Sequence, residues 1–130
     1  MADPAPWQTM LREALAVLAL PADEQVRVNS PGCVACDLLD DFDHARIVAV
    51  GEANLSSSQR RTLEAMEGVV RSMEPADLEC FNAEVLRHPA WERLRELAAN
   101  ALLLFGWEGT VVEPLVQAEP GVWRRVPTAD

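Results

Sequence analysis

Three cysteines offer the clearest potential for chemistry in this chain of 130 residues. Cys33 and Cys36 form a Cys-x-x-Cys pair, and Cys80 follows much later. With His88 they would supply three thiolates and one imidazole, a donor set that Zn²⁺ favours. The segment 33–39, however, has the apolar alternation of a β-strand, in which these two cysteines would face opposite sides. We therefore expect Cys36 to be a small buried hydrophobe and predict no cofactor, leaving the four residues as a weaker metal-binding alternative.

Thiol–disulfide exchange is a second use for the pair of Cys33 and Cys36. That chemistry needs a thiolate stabilised at the N-terminus of a helix. The predicted strand instead runs into Asp37, Asp40 and Asp41, whose charges disfavour a thiolate. The cysteines are odd in number and the first residues lack the basic start of a secretory signal, so we expect reduced thiols in the cytoplasm. Redox chemistry is therefore not expected.

A run of carboxylates after the cysteine pair is a candidate site for a hard cation. It comprises Asp37, Asp40, Asp41 and Asp43 and is followed by His44. Carboxylate oxygens are the ligands that Mg²⁺ and Ca²⁺ prefer, but the run lacks the regular ligand alternation and central glycine of an EF-hand loop. We predict a solvated hairpin tip, with a cation site at residues 40–43 as the alternative.

The inventory for nucleophilic or acid–base catalysis is small. The chain has two histidines, no lysine and no tyrosine, and the serines at 56–58 are explained by helix capping. None of the common nucleophile, metalloprotease or phosphate-binding motifs occurs. An enzyme is thus the third hypothesis, and it would need two acids converging in a concave pocket, at least one with a perturbed pKa.

The charge balance bears on the class of partner. Eleven arginines against twenty-one acidic residues give a net charge of −10, which repels phosphate backbones, so we expect no nucleic-acid binding. The longest apolar run, residues 101–105, is far too short to cross a bilayer, so we expect no membrane association.

Two tryptophans near the C-terminus lie outside any strong periodicity. Trp107 and Trp123, with the neighbouring Arg124 and Arg125, have the composition typical of contact centres. The preferred function is therefore a small, acidic, non-catalytic protein-interaction module, such as an adaptor, a chaperone-like binder or a toxin-neutralising binder. It would bind a protein partner or associate with itself.

The elements that would position these residues are predicted from apolar periodicity and turn signals. Residues 1–130 are expected to form one α+β domain. Its predicted parts are a leader at 1–5, a helix at 6–19, a three-stranded antiparallel meander at 25–29, 33–39 and 46–51, three helices packed on one face at 56–73, 76–86 and 89–105, and a C-terminal arm or short hairpin at 110–130.

The predicted order of a helix followed by a three-stranded meander resembles the opening of class I type III secretion chaperones. The second half departs from that family, which continues with a helix, two strands and a helix, whereas this chain continues with helices. The resemblance therefore implies no site residues here.

Overall fold

The computed structural model describes residues 3–125, and these residues are mostly helical. A two-stranded antiparallel hairpin near the C-terminus is the only sheet within them. The elements in chain order are α1 (Pro6–Ala19), α2 (Ala22–Asn29), α3 (Val34–Glu52), α4 (Ser57–Ser72), two short 3-10 helices (Pro75–Asp77 and Ala83–Arg87), α5 (Pro89–Phe105), β1 (Leu115–Glu119) and β2 (Val122–Arg125). Residues 1–2 of the predicted leader and 126–130 of the predicted arm lie outside the described residues.

The predicted meander is wrong, and with it the α+β fold. Its first strand lies within α2, and the other two fall on the single helix α3 and its N-cap residue Cys33. The buried residues of α3 recur every three or four positions, which is the period of a helix. They are Ala35, Leu38, Phe42, Ala45 and Ala49. The β-branched residues that suggested a strand lie on the outer side of α3, where Ile47 is 55% exposed and Val50 is 42% exposed.

The helices predicted around this region are confirmed. α1 has the predicted bounds, with Pro6 at its first position. α4 begins after Ser56, whose hydroxyl accepts a hydrogen bond from the backbone N–H of Gln59, while the Gln59 side chain accepts one from the N–H of Ser56. α5 begins at Pro89 and ends at Phe105, and the next residue, Gly106, adopts the left-handed conformation that favours glycine at this position.

The helix predicted for 76–86 is replaced by two short 3-10 helices. Local side-chain hydrogen bonds compete with a continuous helix here. The Asp77 carboxylate accepts from the backbone N–H of Glu74, and the Asn82 carbonyl accepts from the N–H of Glu84. Phe81, which lies between the two 3-10 helices, is 85% exposed, with a positive φ of 61°.

The core is organised around α1, which packs against both α3 and α5, and α4 also packs against α5. Leu11, Leu15 and Leu18 of α1 are fully buried, as are Phe42 of α3 and Trp91 of α5. Among the described residues, no helix has the length and apolar character needed to span a membrane.

The corner between α1 and α2 is fixed by a buried polar network. The amide nitrogen of Gln25 donates to the carbonyls of Val17 and Leu18. Arg95 of α5 donates to the carbonyl of Leu20 and to Oε1 of Gln25. Because Gln25 is fully buried, these bonds satisfy polar groups that water cannot reach.

Candidate functional site

The three cysteines converge at the N-terminus of α3. Cys33 is the N-cap residue of this helix, Cys36 lies in its first turn, and Cys80 comes from the turn between the two 3-10 helices. Their three Sγ atoms all lie within 4.8 Å of one another. Cys33 and Cys80 form a disulfide, and Sγ of Cys36 lies 3.6 Å from Sγ of Cys80. The free thiol is therefore in van der Waals contact with one sulfur of the disulfide.

The turn before α3 holds Cys33 at the helix start. Gly32 has a φ of +123°, a conformation that other residues adopt only with strain. A side chain at Gly32 would also place its Cβ 2.9 Å from Oδ2 of Asp37. The positive φ is the condition that favours glycine immediately before the cysteine pair, since the Asp37 carboxylate ends a flexible side chain and can move aside.

Cys80 reaches the cluster because the chain turns sharply beside it. Phe81 takes up the positive φ of this turn, and its ring points into solvent. Cys80 is itself exposed, whereas Cys33 and Cys36 are half-buried. External reagents therefore have access to the cluster through Cys80.

The electrostatic surroundings of the cluster act in two directions. The free N–H groups of the first turn of a helix stabilise negative charge, which favours a thiolate at the N-cap position. Asp37 lies in the same turn, and its pKa is raised by burial and then by the charge of Asp40. The carboxylate of Asp37, with Asp40 further along the helix, disfavours additional negative charge on this side of the turn.

The structure divides the predicted zinc ligands. It brings Cys33, Cys36 and Cys80 together, but His88 lies elsewhere, at the N-cap of α5, with Nδ1 2.9 Å from Oδ1 of Asp77. Within residues 3–125, the three sulfur atoms are the one group of three or more histidine, cysteine, aspartate or glutamate ligands that converges. The acidic run 40–43 is a helical segment of α3 and forms no such group.

Three expectations about the cysteines are wrong. Cys36, expected to be a small buried hydrophobe, is only half-buried. Cys33 and Cys80 form a disulfide instead of remaining reduced, and Cys33 and Cys36 do not point to opposite faces of a strand. A signal for a helix start was present in the sequence. A Ser-Pro-Gly turn precedes Cys33, an aspartate stands in the first turn, and small or apolar residues follow at helical spacing.

The predicted contact residues lie in separate environments. Trp107 belongs to an aromatic cluster in which its ring stacks on Phe105 at a centroid distance of 4.6 Å and lies 6.1 Å from Trp7. Trp123 and Arg124 are exposed on β2 of the hairpin. The structure therefore separates Trp107 from Trp123, and their role in binding a partner stays a prediction.

Arg125, the fourth predicted contact residue, anchors the hairpin to the helices. Its guanidinium donates to a carboxylate oxygen of Glu13, to the carbonyls of Val28 and Glu113 and to Oδ1 of Asn29. The Arg125 side chain is 13% exposed. These contacts occupy most of the N–H donors of the Arg125 guanidinium, which are then not available to bind a protein partner.

The enzyme hypothesis requires two acids in one concave pocket. A cavity of about 260 Å³ between α1, α3 and the hairpin comes closest to this requirement. Glu13, Asp41, His44 and Arg125 line it. The pKa of Asp41 is raised by burial and then by the charges of Asp37 and Glu13. Glu13 is held in an ion pair with Arg125, and His44 is exposed. The Asp41 residue also reaches solvent, although neighbouring atoms partly desolvate its carboxyl group. The two carboxylates thus face a shared space without forming a paired centre.

Comparisons with protein-family models, with curated proteins and with solved structures find no match for this chain. Its function is therefore inferred from the geometry above.

Proposed function

We propose that this protein carries out reversible thiol–disulfide exchange at the cluster of Cys33, Cys36 and Cys80. The observation that supports the proposal is the 3.6 Å contact between the free Cys36 sulfur and the disulfide-bonded Cys80 sulfur. Exchange proceeds by attack of a thiolate on one sulfur of a disulfide, along the line of the S–S bond. The contact with Cys80 meets the distance requirement. The Cys36 side chain must rotate to reach that line, because all three sulfurs lie within 4.8 Å of one another.

The internal step is balanced without an external oxidant. Cys36 loses its proton to solvent, and its thiolate attacks Sγ of Cys80. A Cys36–Cys80 bond forms, the Cys33–Cys80 bond breaks, and the electron pair leaves on Sγ of Cys33. The leaving thiolate is at the N-cap of α3, where the helix N-terminus stabilises its charge. Full opening to thiols takes two electrons and two protons from a dithiol reductant, which becomes a disulfide.

A cytoplasmic location stays a prediction, and it fits this activity. Glutathione and thioredoxin keep cytoplasmic thiols reduced, so the disulfides found there are usually transient and either catalytic or redox-sensing. The exposure of Cys80 gives such reductants access to the bond.

Disulfide mapping of single variants tests the proposal. Each variant is equilibrated in a glutathione redox buffer, quenched with acid, alkylated and mapped by peptide mass spectrometry. We expect Cys33→Ser to form a Cys36–Cys80 disulfide, because the two sulfurs are already in contact. The matched control, Cys36→Ser, should form only Cys33–Cys80.

The decisive comparison is between Cys33→Ser and Cys36→Ser in the same glutathione redox buffer. If Cys33→Ser keeps Cys36 and Cys80 as free thiols where Cys36→Ser is fully bonded, the third sulfur takes no part in exchange and the proposal is wrong. A Cys33–Cys80 bond that no dithiol reduces in the folded protein would also contradict it, because the bond would then be a static crosslink.

A protein-interaction module is the second proposed function, and the hairpin supports it. Trp123 is 42% exposed on one face of the hairpin, and Val116 with its cross-strand partner Arg124 is exposed on the other, on a chain with a net charge of −10. Exposed aromatic and arginine side chains are typical of interface centres. Light scattering coupled to size-exclusion chromatography tests self-association. A dimer that Trp123→Ala dissociates would support this function, and a monomer at all concentrations would contradict self-association.

A further inference from the structure

We infer that the reduced cluster of Cys33, Cys36 and Cys80 binds one thiophilic metal ion, and that formation of the Cys33–Cys80 disulfide releases it. The inference rests on the proposed function, since the same reversible disulfide controls release. It adds a ligand class, soft divalent or monovalent metal ions, and makes binding of that ligand depend on oxidation.

The spacing of the sulfur atoms suits a single ion. Two thiolates bound to Zn²⁺ at ~2.3 Å lie about 3.8 Å apart at the tetrahedral angle. Sγ of Cys36 and Sγ of Cys80 are 3.6 Å apart, and all three sulfurs lie within 4.8 Å. Once the disulfide is reduced, the main change required is separation of the Cys33 and Cys80 sulfurs to a similar distance.

The donor set selects the kind of metal. Three thiolates favour soft ions such as Zn²⁺, Cd²⁺ and Cu⁺ over Mg²⁺ and Ca²⁺. No histidine or carboxylate of residues 3–125 joins the sulfurs within ligand distance, and His88 is paired with Asp77. A tetrahedral ion would therefore keep its fourth position for water or an exogenous ligand, while exposed Cys80 provides the entry path.

Cysteine oxidation and metal binding exclude each other at this cluster. When a diazene oxidant such as diamide reacts, two thiolates give up two electrons and form the Cys33–Cys80 bond. The diazene takes those electrons with two protons from solvent and becomes a hydrazine. The ion then loses two of its three protein ligands and leaves as the aqua ion, with Cys36 as the remaining thiol.

Cadmium titration of the fully reduced chain tests the inference. Under anaerobic conditions we expect one Cd²⁺ per chain, with an ultraviolet thiolate-to-cadmium charge-transfer band. Cys36→Ser should lower the affinity for Cd²⁺ by roughly a hundredfold or more. The binding free energy of a thiolate site is large and comes from only a few ligands, so the loss of one ligand removes a large share of it. His88→Gln should bind Cd²⁺ as tightly as the natural chain. Diamide should abolish the band and release the ion in the natural chain.

The titration tests the metal site, and the diamide treatment tests oxidative release of the ion. Absence of the band, or equal affinity in Cys36→Ser and the natural chain, would overturn the metal site even if metal-free disulfide mapping supports exchange. A band that persists after diamide would overturn oxidative release. Circular dichroism covers the case in which the reduced chain unfolds: refolding with one equivalent of Zn²⁺ would support the site, and a chain still unfolded with Zn²⁺ would refute it.

Discussion

The disulfide between Cys33 and Cys80 should make a large contribution to stability, and Cys80→Ser measures it. The two cysteines are 47 residues apart in sequence. Crosslinking them removes conformational entropy from the unfolded chain, and a loop of this length corresponds to about 4 kcal/mol at 25 °C in the chain-entropy description. For 130 residues that free energy corresponds to a fall in Tm of about 15 °C.

Urea unfolding and thermal melting followed by circular dichroism provide the assay. Cys36→Ser is the matched control, because it replaces a half-buried thiol of the same cluster and leaves the disulfide intact. We expect it to change the free energy of unfolding by less than about 1 kcal/mol. Repeating both measurements in a phosphine reductant isolates the crosslink, since the natural chain should then approach the stability of Cys80→Ser.

Two results would refute this reasoning. Equal stability of Cys80→Ser and Cys36→Ser under oxidising conditions would mean that the crosslink does not constrain the unfolded chain. A difference that persists in reductant would assign the effect to packing of the Cys80 side chain instead of to the bond.

Three further predictions concern the polar contacts. Arg125→Ala should lower the free energy of unfolding by about 2 kcal/mol, because it leaves acceptors on α2 unsatisfied, whereas Arg124→Ala should change it by less than about 0.5 kcal/mol; urea unfolding distinguishes them. Arg95→Met should lower it by about 3 kcal/mol, since the buried Gln25 and two backbone carbonyls lose a donor, and a thermal melt with an unchanged midpoint would contradict this. The pKa of Asp77 is lowered from 3.8, chiefly by the backbone hydrogen bond from Glu74 and then by His88. The ionised Asp77 carboxyl therefore adds to the free energy of unfolding above pH 3.8, and this stabilisation is lost as the pH falls through the lower folded-state pKa. Asp77→Asn should therefore be less stable than the natural chain at pH 7, and a difference that does not narrow in acid would contradict the assignment.

The sequence predicted the helices whose ends carry strong local signals. The capping box of Ser56 and Gln59, the proline at the start of α5 and Gly106 at its end act within a few residues, so they can be read without knowledge of the tertiary structure. α1 was predicted for the same reason, from Pro6 and a regular apolar stripe.

The prediction of strands in place of α2 and α3 was wrong because a short run of alternating apolar residues fits both the two-residue period of a strand and the 3.6-residue period of a helix. The segment 46–51 is rich in β-branched residues, which favour strands. In α3 those residues lie outward and the small residues Ala45 and Ala49 face the core. Tertiary packing selected the helix, since only the helical period places Leu38, Ala45 and Ala49 together on the buried side.

The candidate site was missed as a consequence of that error. Placing Cys33 and Cys36 in a strand put their sulfurs on opposite faces, whereas a helix start puts them in one turn. The meeting of this turn with Cys80 is a long-range contact that no local spacing encodes. The thiols were recognised as the reactive inventory, but their assembly depended on the fold.

The tilted ring contact between Trp107 and Trp7 joins the beginning of α1 to the segment that follows α5. Two indoles this close couple their electronic transitions, so the folded chain should carry a distinctive signature in its near-ultraviolet circular dichroism spectrum. Because the rings are separated by most of the sequence, that signature reports closure of the whole helical assembly and is insensitive to helix formation alone. The protein thus contains its own optical probe of tertiary structure, with no label required.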